Sequence, residues 1–150
     1  MSNKSLIFRL ELKSWDFKVR FPIHFLGNDH KEIRLMKVYS YSKCGTCRNA
    51  IKDLEAKKIK FEVIDITENP PSKKVLKSAV KAKGLQKVFN TSGVQYRELK
   101  IKDKIKSMTE AQAIDLLASN GRLIKRPIAV DKNKITIGFN ADEYQQVWGK

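Results

Sequence analysis

The chain has 150 residues, 41% of them apolar and 31% charged, enough for one ordinary globular domain and too few for two large ones. No run of about 18 apolar residues is available to span a membrane. The formal charge of +15 attracts anions, nucleic acid or acidic proteins, but the lysines are scattered as on a solvated surface, and no zinc-finger or aromatic RNA-binding motif points to direct nucleic-acid binding.

Residues 1–35 differ from the rest of the chain. Phe8, Leu10 and Leu12, then Trp15, Phe17, Val19, Phe21, Ile23 and Phe25, fall on alternate positions, the period of a strand. A hairpin turning near Lys13 and Ser14 is expected, with Pro22 suited to an edge strand, and Gly27-Asn28-Asp29 marks a turn or linker. Arg9, Glu11 and Lys13 interrupt the apolar stretch a signal peptide needs, so a cytoplasmic setting is expected. Residues 1–35 are read as an extension, either a β-hairpin arm or a misassigned start, and 36–150 as the functional domain.

Met36 to Tyr41 reads as the first strand of that domain. Directly after it come the two cysteines of the chain, Cys44 and Cys47, and then a helical pattern from Thr46 to Lys57, with Ala50, Ile51, Leu54 and the alkyl part of Lys58 on one side. A thiol at a helix start faces backbone N–H groups and the positive end of the helix dipole, both of which favour thiolate; Lys43 and Arg48 add positive charge nearby. The pair reads as a reactive dithiol, or as a nucleophile with a resolving partner. His24 and His30 fit no zinc-finger spacing with the cysteines, so no metal is assigned.

Phe61 to Ile66 alternates as a second strand, and a strand–helix–strand order makes the two strands parallel neighbours. The cysteines then lie at the C-terminal end of a strand, where open α/β sheets place their chemistry. Pro70 and Pro71 break the sheet, Ser72 is suited to cap a helix carrying Val75, Leu76, Ala79 and Val80, and Gly84 stops it. Leu85 to Met108 lacks a long period and predicts short helices with a turn at Asn90 to Gly93. Thr109 with Gln112 is a capping-box match before Ala113, Ile114, Leu116 and Leu117, closed by Asn120-Gly121. Ile128–Asp131 and Ile135–Gly138 predict an antiparallel hairpin, and Asn140 with Glu143 caps a last helix with Tyr144, Val147 and Trp148 inward.

A Cys-x-x-Cys at a strand-to-helix junction reads as thioredoxin-like. From Met36 onward, the chain resembles the arsenate reductase family that includes the Spx-type transcription regulators. The resemblance is carried by Lys-Cys-Gly-Thr-Cys-Arg-Asn (43–49), Glu-Asn-Pro-Pro-Ser (68–72), Phe-Asn-Thr-Ser-Gly (89–93) with Tyr-Arg-Glu-Leu (96–99), Leu-Ile-Lys-Arg-Pro-Ile (123–128) and Gly-Phe (138–139). It implies an α/β, thioredoxin-like fold, a small mixed sheet flanked by helices with a helical insertion before the C-terminal hairpin. It also implies Cys44 as the attacking thiolate, no bound cofactor, and glutathione with glutaredoxin, or thioredoxin, as electron donor. Arg126-Pro127 matches the family's Arg-Pro, whose proline peptide is cis and faces the cysteine loop. Arg126, Pro127, Gly45, Thr46, Arg48 and Asn49 are the candidate anion- and substrate-binding residues; the alternative for Arg126 is an ion pair with a surface acid.

Two departures shape the functional expectation. Reductases of this type use three arginines around the oxyanion, whereas the second and third positions here fall near Asn90 and Phe139, so arsenate would lose two charge-assisted contacts. Cys47 stands where those reductases typically have serine, which favours an intramolecular Cys44–Cys47 disulfide with Cys47 as the resolving thiol. The Cys-x-x-Cys reductase-like branch is the better match. The expected function is a cytoplasmic thiol-dependent oxidoreductase; the alternative is an Spx-like redox-sensing regulator docking on the C-terminal domain of the RNA polymerase α-subunit.

Overall fold

A computed structural model describes residues 35–149. The alternating segment from Phe8 to Phe25 and its expected hairpin lie outside the described residues.

Four strands form one sheet in the order β2-β1-β3-β4. Strand β1 (Met36–Ser40) is central, paired in parallel with β2 (Phe61–Asp65) and antiparallel with β3 (Ile128–Asp131), which turns back into β4 (Lys134–Ile137). Every residue of β1 except Lys37 is buried, because both faces of the sheet are covered and the strand has no solvent side. Alternation then divides the apolar side chains between two cores. Met36, Val38 and Ala129 pack with Ala50, Leu54, Tyr144 and Trp148 on one face, whereas Tyr39, Ile128 and Ile137 pack with Leu76, Ala79, Ile114 and Leu117 on the other.

The first face is covered by helix α1 (Gly45–Ala56) and by the helix at Ala141–Trp148. Helix α1 buries Cys47, Ala50 and Leu54, the i, i+3, i+7 stripe of an amphipathic helix. Lys58, expected to extend that stripe, instead lies beyond the helix with φ 55 and is exposed; the chain turns there, and Ile59 packs against this core in its place.

The second face is covered by α2 (Lys73–Lys83), the short turns α3 (Leu85–Val88), α4 (Val94–Glu98) and α5 (Ile101–Lys104), and α6 (Glu110–Ser119). Ser72 caps α2, and Thr109 with Gln112 forms the expected capping box on α6. No clean period was present from Leu85 to Met108 because these helices are four or five residues long, too short for a repeat to show. The block is tied to the segment before β3 by a Phe89–Ile124 bridge and by bonds from Asn90 N to Leu123 O (2.8 Å) and Lys125 N to Val88 O (2.7 Å).

Gly121 closes nothing by a left-handed turn. A 3-10 turn at Gly121–Leu123 follows α6, and a Cβ on Gly121 would come within 1.6 Å of the Ile66 carbonyl oxygen, so glycine is needed for close approach of two backbones. The final helix, α7 (Ala141–Trp148), is capped by Asn140, whose side chain accepts from the Glu143 N–H. The Glu143 carboxylate pairs with Lys83 of α2 rather than completing a capping box. No helix among the described residues is long and apolar enough to cross a membrane. This is the expected thioredoxin-like arrangement, a four-stranded mixed sheet with a helical block inserted between β2 and β3.

Candidate active site

Strand β1 ends at Ser40, and a turn closed by Cys44 N donating to Tyr41 O (3.0 Å) delivers the chain to α1. Cys44 is extended, with φ −94 and ψ 115, and occupies the N-cap position; its sulfur accepts the Cys47 N–H at 3.4 Å. A cysteine thus takes the place usually held by Ser, Thr, Asp or Asn, where a side-chain acceptor satisfies an orphan N–H. A thiolate fills that role better than a thiol, since the N–H donors and the helix dipole stabilise the anion.

Both cysteines are free thiols in different settings: Cys44 is half-buried, and Cys47, on the inward face of α1, is fully buried. Burial pushes the Cys44 thiol up. Hydrogen bonds from the Cys47 side chain and N–H, and from the Arg126 side chain with its charge, outweigh burial and leave Cys44 below the ordinary thiol range. Cys47 is displaced the opposite way, to about 11, chiefly by burial and then by the hydrogen bond it donates to Cys44. One cysteine is prepared as a thiolate, and the other holds the proton.

Arg126 and Pro127 approach from the start of β3. The pairing of Tyr39 with Ile128 brings the residues before β3 to the end of β1 from which the cysteine loop departs. The Arg126–Pro127 peptide is cis, as the resemblance implied, and Pro127 O accepts from Gly138 N at 2.8 Å. The Arg126 guanidinium carbon lies 4.8 Å from the centroid of the Tyr41 ring, and its buried Nε has no hydrogen-bond partner. Among the described residues it forms no ion pair with a surface acid.

The other candidates are placed differently. Gly45 opens the first turn of α1, with its N–H among the orphan donors at the helix start. Thr46 and Asn49 are exposed on the same helix. Arg48 is exposed too, and its guanidinium donates to the Ser42 carbonyl at 3.2 Å, which braces the loop. Of the two positions where the resemblance implied further arginines, Asn90 directs its side chain toward the Arg122 carbonyl and the Ser92 hydroxyl, and Phe139 packs edge-on against Tyr144 with ring centroids 4.9 Å apart. Neither position supplies a positive charge.

Three further residues, outside the motifs, border the site. Tyr41 carries Arg126 on its face. Ser40, 3% exposed, and Tyr144, fully buried, add buried hydroxyls without well-aligned partners, and both act on or feel the charge of Cys47. A signal was available for Ser40, a polar residue in phase with the inward Met36 and Val38. Tyr144 was legible only as an inner helix position.

Residues 39–147 match the ArsC family. The chain is 48% identical over 112 residues to the uncharacterized protein YusI of Bacillus subtilis (strain 168), covering 73% of this chain and 95% of that protein. It is 30% identical over 107 residues to the regulatory protein MgsR of the same organism, covering 70% and 83% respectively. Among solved structures, that of a possible arsenate reductase from Streptococcus mutans UA159 superposes with a TM-score of 0.68 at 40% identity, covering 75% of this chain and 98% of the other.

Proposed function

The chain belongs to the ArsC family, and from that premise we propose that it is a cytoplasmic thiol-dependent oxidoreductase similar to glutaredoxin-linked arsenate reductases. The observation that supports this reading most is the opposite displacement of its two thiols, Cys44 lowered at the α1 N-cap and Cys47 raised to about 11 beneath it. Cys44 attacks a sulfur of a substrate disulfide. A bond forms between Cys44 Sγ and that sulfur, and the second substrate sulfur leaves as thiolate. Cys47 then attacks Cys44 Sγ, the Cys44–Cys47 disulfide forms, and the bound fragment departs. The substrate gains two electrons, and glutathione with glutaredoxin, or thioredoxin, returns them to the protein.

Arsenate is the poorer substrate on this reading. Arg126 can offer a planar set of donors to an oxyanion, but Asn90 and Phe139 add none. The likeness to the regulatory protein MgsR, and to the global transcriptional regulator Spx of Streptococcus pyogenes, supports a second reading. In it the same dithiol is a redox switch on a protein that docks on the RNA polymerase α-subunit.

The test incubates the reduced protein and its Cys44→Ser and Cys47→Ser variants with arsenate or a glutathione-mixed disulfide, in the presence of glutathione and glutaredoxin. Disulfide turnover that needs Cys44, and that stalls as a Cys44 adduct without Cys47, supports the reductase reading. No turnover of either substrate, together with stable binding to the C-terminal domain of the polymerase α-subunit, reverses the ranking.

A further inference from the structure

Met36, Val38 and Ser40 alternate onto the face of β1 that packs against α1 and α7. Two of them are apolar and fill that core. The third ends the strand with a buried hydroxyl that makes no well-aligned hydrogen bond, yet lies close enough to the Cys47 sulfur to favour its ionised form. Leaving such a group without a well-aligned partner is unfavourable, so its retention beside a buried thiol calls for a role. The side-chain groups that act on the Cys47 sulfur are Cys44 and Ser40, with the Tyr41 backbone as a third contact.

We propose that Ser40 is the positioning residue of the resolving step: its hydroxyl waits beside Cys47 in the resting dithiol and donates to the Cys47 thiolate once Cys44 is tied up in a mixed disulfide. The inference rests on the reading of Cys47 as resolving thiol. In the resting protein Cys47 needs no donor, because its own S–H is given to the Cys44 thiolate. When Cys44 is bonded to a substrate sulfur, that acceptor and its negative charge are both gone. The groups left to favour ionised Cys47 are then Ser40 and the Tyr41 backbone, acting against burial.

A serine hydroxyl rotates freely and becomes a donor as soon as an anionic acceptor forms, and a bond to an ionised acceptor is of the stronger class. In the resolving step the Cys47 proton leaves to solvent or to the departing thiolate. The Cys47 sulfur then bonds to Cys44 Sγ, and the Cys44–substrate S–S bond breaks with its electron pair on the leaving sulfur.

The experiment uses the full reduced chain and a symmetrical nitrobenzoate disulfide whose thiolate product is coloured. The first equivalent of colour reports attack by Cys44, and the second reports displacement by Cys47. Ser40→Ala is expected to slow the second phase about tenfold, to move its pH profile upward and to leave the first phase as in the wild type; Ser40→Thr restores the second phase. Loss of an unpartnered hydroxyl leaves thermal stability equal or higher, so a slow second phase in a stable variant separates positioning from a structural defect. A second phase in Ser40→Ala with wild-type rate and pH profile overturns the role of Ser40 alone. Release of a single equivalent by the wild type, with no Cys44–Cys47 disulfide formed, overturns the resolving role of Cys47 and the Ser40 proposal with it.

Discussion

The guanidinium of Arg126 lies over the ring of Tyr41, its central carbon 4.8 Å from the ring centroid. The contact joins the residue before the cis proline to the residue that follows β1, and it keeps the arginine side chain where its charge and donors favour the Cys44 thiolate. Stacking on an aromatic face is worth about 0.5–2 kcal/mol and suits the planar guanidinium better than an ammonium.

From this contact Arg126→Gln is expected to raise the Cys44 pKa and slow its alkylation at neutral pH several-fold. Tyr41→Leu is expected to do the same to a smaller extent, because the arginine remains but is no longer held. Arg126→Lys should restore charge without restoring the planar fork, and so recover only part of the rate. Thiolate absorbance and iodoacetamide rates measured against pH check all three; equal rates in Arg126→Gln and wild type would contradict the assigned role.

The two thiols should leave opposite marks on stability. Cys44 is lowered in the folded state, so between that value and about 8.5 the unfolded chain binds more protons and stability rises with pH. The contribution is fully present above the unfolded value and is lost as pH falls through the folded one. Cys47, at about 11, contributes stability below about 8.5 that is lost as pH rises toward its folded value. Urea unfolding of the reduced protein across this range, compared with Cys44→Ser, should show the rising limb disappear in the variant. A rising limb unchanged by Cys44→Ser would contradict the lowered thiol.

The N-cap position of Cys44 separates chemistry from folding. Its sulfur accepts the Cys47 N–H, and serine is among the preferred residues for that service. Cys44→Ser should therefore abolish reaction with disulfides while keeping the wild-type melting temperature within a degree or two at a pH below the Cys44 titration, where both side chains are neutral caps. Cys44→Ala, without an acceptor, should cost about 1 kcal/mol, read as a lower urea midpoint.

Much of this fold was legible because local signals and burial agree. Ser72, Thr109 and Asn140 cap the helices their spacing announced, and the hairpin of β3 and β4 falls where two apolar runs flank Lys132-Asn133. Arg126 and Cys44 were joined by resemblance, since 82 positions separate them in the chain and their meeting depends on the β1–β3 register, which no local pattern encodes. Arg48 was singled out by nearness in sequence alone, and the direction of its side chain, folded back to the Ser42 carbonyl, is set by a loop geometry that no local pattern encodes. Lys58 was drawn into the first helix by its alkyl chain, whereas the turn to β2 needs a residue at positive φ there. Gly121 was read as a helix stop, because a sequence shows that a glycine is present and not which atom would collide with a side chain.

That collision gives the most severe substitution outside the cysteines. A Cβ at position 121 would sit 1.6 Å from the Ile66 carbonyl oxygen and 2.7 Å from its carbon, and both partners are backbone and cannot swing aside. Ile66 is fully buried, and its N–H is bonded to the Ser40 carbonyl at 2.9 Å, so displacing it pulls on the end of β1 from which the cysteine loop departs. Gly121→Ala is therefore expected to cost about 3 kcal/mol or more and to slow Cys44 alkylation in whatever fraction remains folded. Gly84→Ala provides the contrast: a Cβ there meets nothing within 4 Å, and the cost is that of placing alanine at φ 84 and ψ 149, a region kept almost entirely for glycine, about 1–3 kcal/mol, with Cys44 reactivity unchanged. Thermal melts and alkylation rates of the two variants should therefore part company, Gly121→Ala losing both stability and reactivity and Gly84→Ala losing stability alone.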